Sequence, residues 1–102
     1  MRKILFLLLF TCSAYAQEMA VVHINAEFNR SNDWYGLDII EGAKVYGGYI
    51  DKTPDIKEKY NITRVPTLIL FHKGQEIQRW EAGLDMKLHI KASEVQDAIN
   101  KK

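Results

Sequence analysis

Short apolar runs separated by polar, turn-forming breaks organise this chain. Val21 to Ala26 is apolar at nearly every position, the pattern of a central strand covered on both faces. Asn29 to Asp33 is polar and rich in cap formers, which suits a strand-to-helix turn. From Trp34 to Ala43 the apolar residues fall at 34, 37 and 40 and at 35 and 39, a loose helical spacing. Gly36 and Gly42 each cost about 1 kcal/mol against alanine in a helix, so this helix is expected to be short or irregular. Lys44 to Asp51 reads as a strand, with Gly47-Gly48 marking a bulge. Thr53 as N-cap and Pro54 in the first turn open a helix that runs from Asp55 to Tyr60.

Thr67-Leu68-Ile69-Leu70-Phe71-His72 is the clearest strand, followed by a Lys73-Gly74-Gln75 turn and an alternating strand from Glu76 to Ala82. Ser93 to Ile99 is an amphipathic helix whose Ser93-x-x-Gln96 fits a capping box. The order is β-α-β-α-β-β-α, a small α/β domain with one hairpin and helices on both faces of its sheet. No internal repeat or linker divides it.

Composition changes the picture at the N-terminus. Arg2-Lys3, the apolar run Ile4 to Phe10 and the small-x-small step Ala14-Tyr15-Ala16 are the three parts of an export signal. The apolar run is too short for a bilayer span, which takes about 20 residues. The expected division is residues 1–16 as signal peptide and 17–102 as the domain, with the product exported to a periplasm or secreted. A lipid anchor at Cys12 is disfavoured, because Phe10 and Thr11 stand where a lipidation signal wants small residues. Cleavage after Ala16 leaves 86 residues with 12 basic and 13 acidic side chains. So balanced a charge offers no field for nucleic acid or an anionic membrane. Cys12 is the only cysteine and lies inside the signal, so the processed domain has no disulfide, thiolate or cysteine metal site.

Three segments carry a resemblance to the thioredoxin family. Val22-His23-Ile24-Asn25-Ala26-Glu27-Phe28 is similar to the family's first central strand and the entry into its redox motif. Tyr49-Ile50-Asp51, with Ile56 to Ile62, is similar to its second strand, short helix and turn. Arg64-Val65-Pro66-Thr67, leading into Leu68 to Gly74, resembles its proline loop and hairpin, and Pro66 follows Asn29 by 37 residues. The resemblance implies a thioredoxin-like fold with a mixed four-stranded central sheet flanked by helices, and a cis Val65-Pro66 bond. It also marks what is missing. Phe28 stands at the motif's tryptophan, Asn29 and Asn32 stand at its two cysteines around Arg30 and Ser31, and His23 stands at its buried acid. The segment from Asn29 to Pro66 is shorter than the family's, and the loss falls in the helix after the motif.

Thiol–disulfide exchange needs an attacking thiolate and a resolving sulfur, and asparagine supplies neither. No catalytic residue, cofactor or metal is therefore expected. His23 reads as a core or edge histidine hydrogen-bonded to a neighbour, with a switch titrating near neutral pH as the alternative. Ser31 reads as a cap residue and Arg30 as a solvated arginine that could hold an anion. Asn29-Arg30-Ser31 and Asn61-Ile62-Thr63 fit the glycosylation sequon. What the family keeps without cysteines is a groove in which backbone before the proline pairs with an extended peptide. Its counterparts here are Phe28, Trp34, Val65, Pro66 and Thr67, with the Asn29–Asn32 turn and Ala82-Gly83-Leu84 beside them. The expected function is a redox-inactive module binding a protein or extended peptide. The alternatives are an assembly subunit using another face and, behind it, an oxidoreductase.

Overall fold

Two strands hold the centre of the sheet: β1 (Met19–Asn25) and β3 (Thr67–His72). They pair antiparallel, with β2 (Ala43–Tyr49) parallel to β1 on one edge and β4 (Gln75–Glu81) antiparallel to β3 on the other, giving the order β2-β1-β3-β4. This computed structural model describes residues 19–101. The expected signal peptide at 1–16 and Cys12 lie outside the described residues.

Side chains alternate across β1, and the two faces build two cores. Ala20, Val22 and Ile24 join Ile62, Val65, Ile69 and Phe71 on one face. Ile56 and Tyr60, from helix α1 (Asp55–Lys59) and its C-cap, pack onto that side. Met19 and Val21 join Leu68 and Leu70 on the other face, beneath Trp34 and the Val95 and Ile99 ridge of helix α2 (Ala92–Asn100). Each fully buried aliphatic side chain contributes roughly 1.5–3 kcal/mol relative to exposure. Burial of all seven residues of β1 explains its apolar run, whereas β2 and β4 are largely half-buried or exposed.

Four local expectations are corrected. The segment from Trp34 to Ala43 is not an α-helix: two 3₁₀ segments, Glu27–Asn32 and Tyr35–Ile39, fill the connection from β1 to β2. A Cβ on Gly36 would lie 2.4 Å from the Trp34 ring, so a side chain there is excluded by the indole it covers. The bulge expected at Gly47-Gly48 is absent, because β1 and β2 pair in continuous register; the irregularity falls between Leu70 and Phe71 in the β3–β4 pairing. Thr53 makes no side-chain cap; Pro54 is the N-cap of α1. The α2 cap sits two residues earlier than expected, with Glu94 Oε1 accepting from the Lys91 N–H at 3.0 Å. Gln96 instead clamps Glu41, accepting from its N–H at 2.8 Å and donating to its carbonyl at 2.7 Å.

The hairpin loop is only Lys73-Gly74, with φ of 56° and 81°. Two consecutive left-handed residues match the right-handed twist of the flanking strands, and glycine adopts such a φ without steric cost.

Candidate functional site

β1 ends at Asn25 and the chain turns sharply through the first 3₁₀ segment. The turn is held by side chains more than by helix. Asn25 Nδ2 donates to the Asn29 carbonyl at 2.9 Å and to Asp33 Oδ1 at 2.7 Å. Asn29 Nδ2 donates to Asn25 Oδ1 at 3.0 Å and to the Met86 carbonyl at 3.1 Å, and Asn29 Oδ1 accepts from Asn32 Nδ2 at 2.7 Å. The Tyr49 hydroxyl closes the network on Asp33 Oδ2 at 2.7 Å. That bond holds the proton on the phenol and raises its pKa.

Asn29 is thus 6% exposed and is a structural hub. Both amide hydrogens and one lone pair of the side-chain oxygen are engaged, which is three of the four hydrogen bonds an asparagine side chain can make. Its burial also removes the Asn29 sequon from the folded surface. Arg30 is exposed and pairs with Glu27 at 2.7 Å, its guanidinium 5.5 Å from the Tyr49 ring centroid. Ser31 is exposed, as a turn residue would be.

His23 lies on the inner side of this turn. Its Nε2 accepts the Trp34 N–H at 3.0 Å, and burial pushes its pKa below the ordinary histidine value against the pull of Asp33. Trp34 itself is 4% exposed, with its indole N–H donating to the Ile90 carbonyl at 3.1 Å. The expectation that Trp34 lines a groove is therefore corrected: its amide bond to His23 and its indole bond to Ile90 hold the ring in the core. Thr67 is likewise buried, with its hydroxyl donating to the Arg64 carbonyl, and the Pro66 side chain is sealed. Phe28 is the reverse case, exposed at 77%.

The Val65–Pro66 peptide bond is cis. The Pro66 carbonyl accepts the Ala82 N–H at 3.1 Å, which fixes the start of the loop that contains exposed Leu84. Met86, whose carbonyl binds Asn29, closes that loop through its N–H to the Gly83 carbonyl at 3.0 Å. The structure therefore brings together the Asn29 turn, Pro66 and the 82–86 loop. Phe28 and Leu84 are the solvent-facing apolar side chains of the two loops. The backbone N–H and C=O of Val65 have no hydrogen-bond partner among the described residues.

Sequence reasoning missed Asn25, Asp33, Tyr49 and Met86 as members of this site. The one available signal was Asn25, a polar residue closing an otherwise apolar strand. A separate hollow of about 250 Å³ lies on the other side of β2, between Val22, Ile24, Gly48, Ile56 and Tyr60, where burial lifts the Tyr60 phenol to about 12. Among the described residues no cluster of three or more His, Cys, Asp or Glu could hold a metal.

Solved structures share this architecture. Thioredoxin from Schistosoma mansoni superposes with a TM-score of 0.69 at 19% identity, covering 97% of this chain and 86% of that one. Thioredoxin from Fasciola hepatica gives 0.60 at 16% identity over 83% of this chain and 81% of that one. Trxlp from Edwardsiella tarda gives 0.61 at 14% identity, over 94% and 91%. At these identities the likeness is one of fold, and the fold is thioredoxin-like. No family model and no curated protein matches the chain.

Proposed function

We propose that this thioredoxin-like domain is exported and binds an extended peptide segment of a partner protein, without thiol–disulfide chemistry. The observation that carries the reading is the unpartnered backbone of Val65, a residue only 9% exposed, next to Pro66. The Pro66 carbonyl bond to Ala82 joins the loop that carries exposed Leu84, while exposed Phe28 sits on the turn that Asn29 ties to the same loop. Backbone polar groups at a buried margin are costly when unpaired, and a strand laid alongside supplies the missing partners. Phe28 and Leu84 then give the segment apolar contacts on two loops that the Asn29–Met86 bond holds together.

The redox-inactive part of the proposal rests on sulfur. Cys12 is the sole cysteine of the chain and leaves with the signal when cleavage follows Ala16. Asn29, at the attacking position, is moreover committed to three side-chain hydrogen bonds. Insulin-disulfide turnover by the processed chain would refute this part.

Binding is tested by selecting short peptides against the protein from a random library and measuring their affinity for wild type and for Phe28→Ser with Leu84→Ser. The expected result is at least tenfold weaker binding in the double variant and a peptide-induced shift of the Val65 amide resonance. Equal affinity, or an unmoved Val65 amide, overturns the site. The exposed pair Tyr35 and Ile39 on the second 3₁₀ segment favours an assembly face as a second reading. Sedimentation velocity decides it: an oligomer lost in Tyr35→Ser supports assembly.

A further inference from the structure

His23 is the buried titratable group that the binding site leaves unused. It faces the α2 side of β1, opposite Gly47 on β2 and Leu68 on β3, neither of which brings a charge. α2 presents Val95 and Ile99 to this face, while its Glu94 and Asp97 are exposed. The second 3₁₀ segment contributes Asp38, also exposed, and the first contributes Glu27 and Arg30, which pair with each other. The charged group that acts on His23 is Asp33, and its two carboxylate oxygens are already bound by Asn25 and Tyr49.

The direction of one hydrogen bond decides what a proton does here. Nε2 accepts the Trp34 N–H at 3.0 Å, so Nε2 is unprotonated and the neutral ring carries its hydrogen on Nδ1. Adding a proton to Nε2 sets two donors against each other in a water-poor site. The Trp34 N–H then loses its acceptor, and burial penalises the charged ring. We propose that His23 is an acid-operated latch: its protonation breaks the bond to the Trp34 N–H and frees the Trp34 end of the turn from β1, while the Asn25 bonds keep the Asn29–Asp33 part tied to the strand. The release is local, because the Trp34 ring keeps its own anchor at the Ile90 carbonyl. This latch does not depend on peptide binding.

The test is a titration of the full chain by ¹⁵N NMR from pH 8 to pH 4, following the His23 ring nitrogens, the Trp34 amide and the Trp34 indole N–H together. As His23 protonates, the Trp34 amide should move and lose about tenfold of its hydrogen-exchange protection, as expected for one lost hydrogen bond. The indole N–H should hold its position. In His23→Gln, whose amide oxygen accepts without titrating, the step should vanish. A Trp34 amide that stays still while His23 titrates overturns the proposal. So does the same step in His23→Gln, or a His23 that titrates only with global unfolding. Should the glutamine variant fail to fold, coincidence of the His23 and Trp34 steps in the wild-type chain decides alone.

Discussion

Asn29 Nδ2 donates to Asn25 Oδ1 at 3.0 Å, and both side chains are sealed from water. The link ties the turn back onto the strand from which it springs. Removing one partner of a buried hydrogen bond leaves the other unsatisfied, at about 1–3 kcal/mol. Asn29→Ala should therefore lower the unfolding free energy by about 2 kcal/mol, read from urea denaturation with an unchanged slope. A loss under ~0.5 kcal/mol would show that water replaces the amide.

Gly36 is held by the Trp34 ring. With a Cβ at 2.4 Å from the indole, Gly36→Ala requires the ring or the second 3₁₀ segment to shift. Overpacking of this kind costs typically 1–3 kcal/mol. The expected signature is a loss of that size with a red-shifted Trp34 emission, checked in a Trp80→Phe background to isolate the signal.

Arg79 joins β4 to the end of α1. Its guanidinium donates to the Tyr60 carbonyl at 2.8 Å and the Asn61 carbonyl at 3.1 Å, and grips both oxygens of Glu76 at 2.8 Å. A lysine cannot make this planar, multidentate arrangement. Arg79→Lys should destabilise nearly as much as Arg79→Ala, about 1 kcal/mol in thermal or chemical unfolding.

The same pair sets an acid dependence. The Arg79 hydrogen bonds hold the Glu76 carboxyl below its ordinary value. The unfolded chain therefore takes up this proton at higher pH than the folded one. The pair's contribution is present above the unfolded pKa of ~4.5 and is lost as pH falls through the lower folded value. Because Glu76 is largely solvent-exposed, the effect is small and should shrink further in 1 M salt. His23 acts in the same direction at higher pH, its contribution fading as pH drops below about 6.5 through its lowered folded pKa. Unfolding free energies should fall as pH drops from 8 to about 3, and His23→Gln should remove the part of that decline that begins near pH 6.5.

Phe28 and Leu84 are exposed at 77% and 96%. Serine at either position should change stability by less than ~0.5 kcal/mol. A larger loss would mean that these side chains support the fold and would remove them as binding probes.

The strands were legible because of what each must cover. β1 and β3 are apolar on consecutive positions since both faces are buried, and β4 alternates since one face is wet. The caps were not. Ser93 and Gln96 spell a capping box, yet Lys91 and Glu94 occupy it, because Val95 and Ile99 must reach the Leu68–Leu70 face and this fixes where α2 begins. The candidate site was half legible: the motif positions could be placed, but not which way their side chains faced. Trp34 and Phe28 looked alike as apolar groove residues, and one is core while the other is surface.

By itself the sequence determined the succession of strands and helices along the chain, the small α/β class and the absence of cysteine after Cys12, because burial patterning and residue identity are properties of the chain alone. Tertiary structure decided the rest. Asparagine at positions 29 and 32 says only that no thiol stands there. That Asn29 is a sealed hub, joined to Asn25 behind it and Met86 across from it, depends on two segments, the Asn25–Asn29 turn and the loop holding Met86, 57 residues on, meeting at one point. Hydrogen-bond partners over such separations leave no periodicity to read, and a polar side chain is buried only where the fold happens to complete its bonds.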